Sequence, residues 1–108
     1  MNMNYLFNTH VIDNTKVKIV EANLEKVKEL ITLIKSHFKV KEVEIRQGSV
    51  NEPFGYNIHV CGTSGSEVYF RVESTGVNFD NKGILQVDDE QLVIKVVEHC
   101  NKYFVRLP

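Results

Sequence analysis

Apolar positions along the chain fall into two helical stretches with a long alternating segment between them. In NLEKVKELITLIKSHF, Asn23 is a suitable N-cap, and Leu24, Val27, Leu30, Ile31, Ile34 and Phe38 recur at helical spacing. That spacing predicts an amphipathic helix of about four turns with one buried face. Just upstream, Val17 and Val20 extend the same spacing and would suit a longer helix, whereas KVKI alternates. The expectation taken is a strand over 16 to 21, paired with YLFNTHVI through the DNT turn. Near Asp88, DDEQ offers a capping residue, first-turn acids and a glutamine three places on. Leu92, Val93, Val96, Val97, Cys100, Tyr103 and Phe104 follow as an apolar stripe, predicting a second helix.

Between the helices, EVEIR, YNIHVC, EVYFRVE, VNF and ILQV alternate with period two and are separated by turns that contain glycine. This is the pattern of an antiparallel meander. Opposed residues of a hairpin share a face, so loop length decides whether successive strands agree on one. Thr63, Ser64 and Gly65 as a three-residue loop set Val60 opposite Val68, Ile58 opposite Phe70 and Tyr56 opposite Val72. Gly65 then sits where a bulged hairpin needs a left-handed residue. Thr75 and Gly76 as a two-residue loop set Val72 opposite Phe79; Asn81, Lys82 and Gly83 set Phe79 opposite Leu85 and Val77 opposite Val87. One apolar sheet face and two one-sided helices predict an α+β two-layer sandwich, an antiparallel meander of about five to six strands with two helices packed on one face. The expected order is (β)β-α-β-β-β-β-β-α, filling residues 1–108 as a single domain.

The opposite sheet face then carries three cross-strand rows: Glu42, Cys61 and Glu67; Glu44, His59 and Tyr69; Arg46, Asn57 and Arg71. Glu73, Asn78, Ile84 and Gln86 belong to the same face. The order helix, meander, helix resembles the outline of the frataxin fold. That likeness is of outline alone, because the first helix mixes Lys26, Lys28 and Lys35 with Glu25 and Glu29 where that family relies on an acidic ridge, and no function is carried over.

Composition narrows the classes. A chain of 108 residues that is 43% hydrophobic and 25% charged suits one core and leaves no length for another. Two cysteines, Cys61 and Cys100, make neither a disulfide framework nor a CxxC zinc pair, so reduced intracellular thiols are the simpler reading. MNMNYLFNTHVID lacks the basic and uninterrupted apolar regions of a signal peptide, and no apolar run reaches membrane length. The expected localisation is cytoplasmic, with no membrane partner. Up to Lys41 seven lysines face four acids, and from Glu42 onward six basic residues face ten acids, for a net charge of -1. Nucleic acid is not an expected ligand for such a balance.

Candidate chemistry gathers on the polar sheet face. His59 and Cys61 point the same way along a strand, with Glu42, Glu44 and Glu67 nearby as oxygen donors. Strand neighbours stand about 7 Å apart, however, and no ligand-spacing motif supports them, so no metal and no cofactor is expected. A Cys61 nucleophile paired with His59 would lack a cleft, oxyanion donors and a helix N-terminus to lower the thiol pKa. GTSGS joins strand to strand and reads as a turn rather than a phosphate cradle. In the eight-residue connection GSVNEPFG, Phe54 is either a partner contact or a cap on the core edge. The function expected is a small non-enzymatic interaction domain, such as an immunity protein, inhibitor, adaptor or regulatory subunit. Its partner is another protein or a second copy, met through Glu44, Arg46, His59, Tyr69, Arg71 and Phe54. The alternative is a small-molecule domain with a pocket between sheet and helices near Tyr56, Phe54 and Tyr103; an enzyme using His59 and Cys61 comes third.

Overall fold

A computed structural model describes residues 13–108. The chain forms helix α1 (Asn14–His37), strands β1 (Val40–Gln47), β2 (Tyr56–Gly62), β3 (Glu67–Glu73), β4 (Gly76–Phe79) and β5 (Ile84–Leu85), and helix α2 (Glu90–Tyr103). The strands make one antiparallel sheet in chain order, and the helices bury their stripes on one side of it, giving the expected α+β two-layer fold.

The strand expected over 16 to 21 is helical. Asp13 caps α1 by accepting from the Thr15 amide at 2.8 Å, and Val20, Leu24, Val27, Ile31 and Ile34 are all buried along its length. A cap followed by an unbroken 3-4 stripe outweighs a four-residue alternation. Asn23 is therefore not a cap but a mid-helix residue, and its amide donates to the Glu73 carbonyl at 2.8 Å. The expected partner strand YLFNTHVI lies outside the described residues. In α2 the cap is Asp89, one residue later than expected, accepting from the Gln91 amide at 2.8 Å. Its buried stripe narrows to Leu92, Val96 and Cys100, continued by Phe104 beyond the helix, while Val93 and Tyr103 are exposed.

The first hairpins have the expected register. Val60 opposes Val68, Ile58 opposes Phe70 and Tyr56 opposes Val72. Gly65 adopts φ +89, and Gly62 donates its amide to the Ser66 carbonyl at 2.8 Å to close the turn. The next two turns keep the expected faces but not the expected partners. Val72 opposes Val77 and Phe70 opposes Phe79, because the β3–β4 turn is Ser74-Thr75 and Gly76 already belongs to β4 with φ +140. Val77 opposes Leu85 rather than Val87, because Asp80 and Asn81 supply left-handed conformations (φ 50 and 61) ahead of Gly83. Each slip amounts to two residues in the pairing, which preserves which side every side chain meets. Ile58, Val60, Val68, Phe70, Val72, Val77 and Phe79 thus remain core residues, each at most 1% exposed.

Two further contacts fix the ends of the sheet. After α2 the chain returns along the start of β1, with the Lys39 amide donating to the Val105 carbonyl at 2.7 Å and the Phe104 ring packed over Gly62. At the other end, the connection 48–55 folds over the end of β3. Glu73, expected on the open face, is only 4% exposed there: its carboxylate accepts from the Ser49 hydroxyl and from the Asn51 amide at 3.4 Å. Glu52 in turn accepts from the Ser74 amide at 2.9 Å and from its hydroxyl.

Candidate functional site

With the helices on one side, the sheet's other face is left with the three expected rows, and the structure assembles all of them. Glu44 pairs with His59 and His59 with Tyr69; Arg46 pairs with Asn57, Asn57 with Arg71 and Arg71 with Asn78; Glu42 pairs with Cys61 and Cys61 with Glu67. The sheet, with Val50 of the connection at its edge, carries an open hollow of about 520 Å³, lined by Glu44, Arg46, His59, Tyr69 and Arg71 together with Val50, Asn57, Ile58, Phe70, Asn78, Asp80 and Asn81. Five of the six residues expected to meet a partner are therefore in one place. Phe54 is not among them and packs against the core instead.

The hollow carries two acids, Glu44 and Asp80, and two arginines, Arg46 and Arg71, and Ile58 and Phe70 also reach its wall. Glu44 and Arg46, two apart on β1, pair at 3.0 Å and are largely exposed. Arg71 makes no ion pair among the described residues. Beside it, the Asn78 side-chain carbonyl oxygen is buried without a hydrogen-bond donor from the described residues, an arrangement that usually disfavours the folded state. Asn57 donates to the Gly48 carbonyl and so ties the hollow to its rim. Val50, 74% exposed, is the apolar element of that rim.

At the border of the hollow, the His59 and Tyr69 rings stack with centroids 4.4 Å apart and planes 12° from parallel. The Tyr69 hydroxyl donates to Glu67 Oε2 at 2.6 Å, while Glu67 Oε1 lies 3.3 Å and Cys61 Sγ 3.6 Å from His59 Nε2. The hydrogen bond from Tyr69 pulls the Glu67 carboxyl below its ordinary pKa against a smaller opposing effect of desolvation, and the same bond pushes the phenol up. Desolvation first, then the charges of Glu67 and Glu42, push the Cys61 thiol up. That is the reverse of the electropositive setting that activates a nucleophilic cysteine. The premise that strand neighbours diverge is corrected here: the imidazole leans along the strand, and donor atoms of His59, Cys61 and Glu67 all lie within 4.8 Å of one another.

The other sequence candidates separate. Tyr56 and Tyr103 cannot share a pocket between sheet and helices, because Tyr56 starts β2 whereas the chain just after Tyr103 packs on Gly62 at its far end. The GTSGS loop spends its polar groups internally: Gly65 donates to the Gly62 carbonyl at 3.2 Å, and the Ser64 hydroxyl to the Tyr103 carbonyl at 2.8 Å. His99, on the helical side, sits between the Phe79 and Tyr103 rings, with Nε2 3.5 Å from an Asp80 carboxylate oxygen. Val50 and Asp80 are members of the hollow that sequence reasoning does not single out, whereas it places Asn78 on this face without joining it to the Arg46 row. No helix of the described residues is long and apolar enough to cross a membrane. Comparison with protein families, with curated proteins and with solved structures finds no match to this chain.

Proposed function

We propose that this chain is a non-enzymatic recognition domain, of the immunity-protein, inhibitor, adaptor or regulatory-subunit kind, that binds a protein partner through the open face of its sheet. The observation that carries this reading is Arg71 in the hollow, which has no acid within ion-pair distance among the described residues. A polypeptide segment supplies the missing group, a carboxylate or carbonyl for Arg71. The stacked Tyr69 and His59 beside it offer the aromatic surface on which interfaces concentrate binding energy. Raised rather than lowered thiol pKa at Cys61 favours recognition over nucleophilic chemistry. A cytoplasmic setting belongs to the same proposal, supported by both cysteines being free thiols.

The test is affinity capture with the wild-type chain, Arg71→Glu, Tyr69→Ala, and a charge reversal on the helical side, Lys26→Glu, as control. A partner retained by wild type and Lys26→Glu but lost from Arg71→Glu and reduced with Tyr69→Ala supports the reading. Light scattering on the isolated chain identifies a second copy as that partner if the molar mass doubles and Arg71→Glu restores the monomer. Capture indifferent to both sheet-face substitutions refutes it.

A further inference from the structure

We propose that His59 Nε2, Cys61 Sγ and a Glu67 carboxylate oxygen form a binding site for one divalent transition-metal ion of the zinc class. The site stands on donor geometry and is independent of the recognition reading. A tetrahedral zinc ion with nitrogen at about 2.05 Å, oxygen at about 2.1 Å and sulfur at about 2.3 Å holds nitrogen about 3.4 Å from oxygen and about 3.6 Å from sulfur. Nε2 lies 3.3 Å from Glu67 Oε1 and 3.6 Å from Cys61 Sγ, and all three donors fall within 4.8 Å of one another. Two of the three edges of a ligand triangle are thus already at coordination length, and the third is no longer than 4.8 Å.

Backbone pairing produces this triangle. Cys61 and Glu67 are directly opposed across the β2–β3 hairpin beside its bulged turn, and His59 stands on the same face two residues before Cys61. One neighbour steers two of the ligands from outside. Tyr69 stacks on the His59 ring and holds Glu67 Oε2 by its hydroxyl, leaving Oε1 turned toward the imidazole. Such outer contacts set ligand orientation in metal sites. A nitrogen, a thiolate and a carboxylate together suit zinc better than the all-oxygen preference of magnesium or calcium. Three protein ligands on an open face leave a fourth position for water or for a side chain of another molecule.

Chelator-treated protein, kept reduced by a phosphine, is titrated with cobalt(II) alone and then with zinc(II). The expected result is one cobalt per chain with a near-ultraviolet thiolate-to-cobalt charge-transfer band. That band persists in Cys100→Ala, is absent from Cys61→Ser, and is abolished by zinc. His59→Ala and Glu67→Gln should each weaken zinc by at least about tenfold, the effect that removal of outer contacts alone has in metal sites. Glu67→Gln keeps the side chain's size and an acceptor for Tyr69, so it serves even if His59→Ala perturbs the fold. No band in wild type, a band surviving in Cys61→Ser, or zinc affinity unchanged by Glu67→Gln overturns the site.

Discussion

Replacement of Gly76 by alanine should be among the most damaging single changes in the sheet. Gly76 opens β4 with φ +140, a region that L residues rarely occupy, and an added Cβ would lie 2.5 Å from the Leu85 carbonyl oxygen and 3.0 Å from Ile84 Cγ2. Backbone strain there amounts to about 1–3 kcal/mol. Forcing a methyl group against the β5 backbone adds about 1–3 kcal/mol more unless β5 peels away, which forfeits the pairing of Val77 with Leu85 and Asn78 with Ile84. The sum, about 2–6 kcal/mol, is a large part of the roughly 5–15 kcal/mol expected for a whole domain. Gly65 provides the internal comparison. Its φ is +89 but no atom lies within 4 Å of where an added Cβ would stand, so Gly65→Ala carries only the left-handed penalty of about 1–2 kcal/mol.

Urea unfolding followed by far-ultraviolet circular dichroism measures both, and the difference in midpoint should be on the order of 1 M given slopes of about 1–3 kcal/mol per molar urea. Gly76→Asn adds discrimination. In a two-residue turn Thr75-Gly76, asparagine would be tolerated, because it enters left-handed turn conformations readily; beneath the Leu85 carbonyl it should be as harmful as alanine. A Gly76→Asn variant close to wild type, or Gly65→Ala worse than Gly76→Ala, would refute the observed β3–β4 register.

Buried polar groups and thiols give three more expected outcomes. Desolvation lowers the His99 pKa below its ordinary 6.5 and outweighs the opposing pull of Asp80, with Lys82 and Lys102 adding to the lowering. The unfolded chain therefore takes up this proton first, so the stability held above pH 6.5 is lost as pH falls through the folded value, and His99→Gln should flatten that part of a urea-midpoint profile. Glu73→Ala strips the acceptor from Ser49 and Asn51, which should destabilise by about 1–3 kcal/mol and make the connection 48–55 the first site of limited proteolysis. Native-state alkylation at neutral pH should modify Cys61 well before Cys100, which is fully buried with its thiol pushed up to about 11; equal rates would contradict the burial of Cys100.

Alternation along the strands makes the two faces legible without knowledge of any partner. The three polar rows assigned to the open face by parity are on it, and Asn78 joins them even where pairing slips, because a shift of two leaves parity intact. The slips themselves come from reading glycine as the residue that must supply the turn. At Gly76 the positive φ serves a close approach between strands, and at Asp80 and Asn81 side chains other than glycine take the left-handed positions. The N-terminal half of α1 escapes sequence reasoning for a different reason: KVKI satisfies both periods, and the deciding features are the Asp13 cap and the burial of Val20. Parity also does not reveal that the 48–55 connection covers Glu73, since nothing in a strand pattern records what folds across its end.

The two cysteines show why the sheet face, rather than residue type, decides chemistry in this fold. Cys100 lies in the apolar stripe of α2, and there a thiol is a small hydrophobic group filling space under the sheet. Cys61 alternates outward between Val60, which is fully buried, and Gly62, which yields room to Phe104, so its sulfur meets an imidazole and a carboxylate instead. Neither the helical stripes nor the core has any use for that second face once one side of the sheet is covered. Its rows set Arg71, Asn78 and the His59, Cys61 and Glu67 triangle on the side of the sheet away from the helices. Tyr69 joins the two halves of the face, lining the hollow while its hydroxyl orients Glu67. A change at Tyr69 consequently reaches both the floor of the hollow and the proposed metal triangle, whereas Arg71 and Cys61 each belong to one alone.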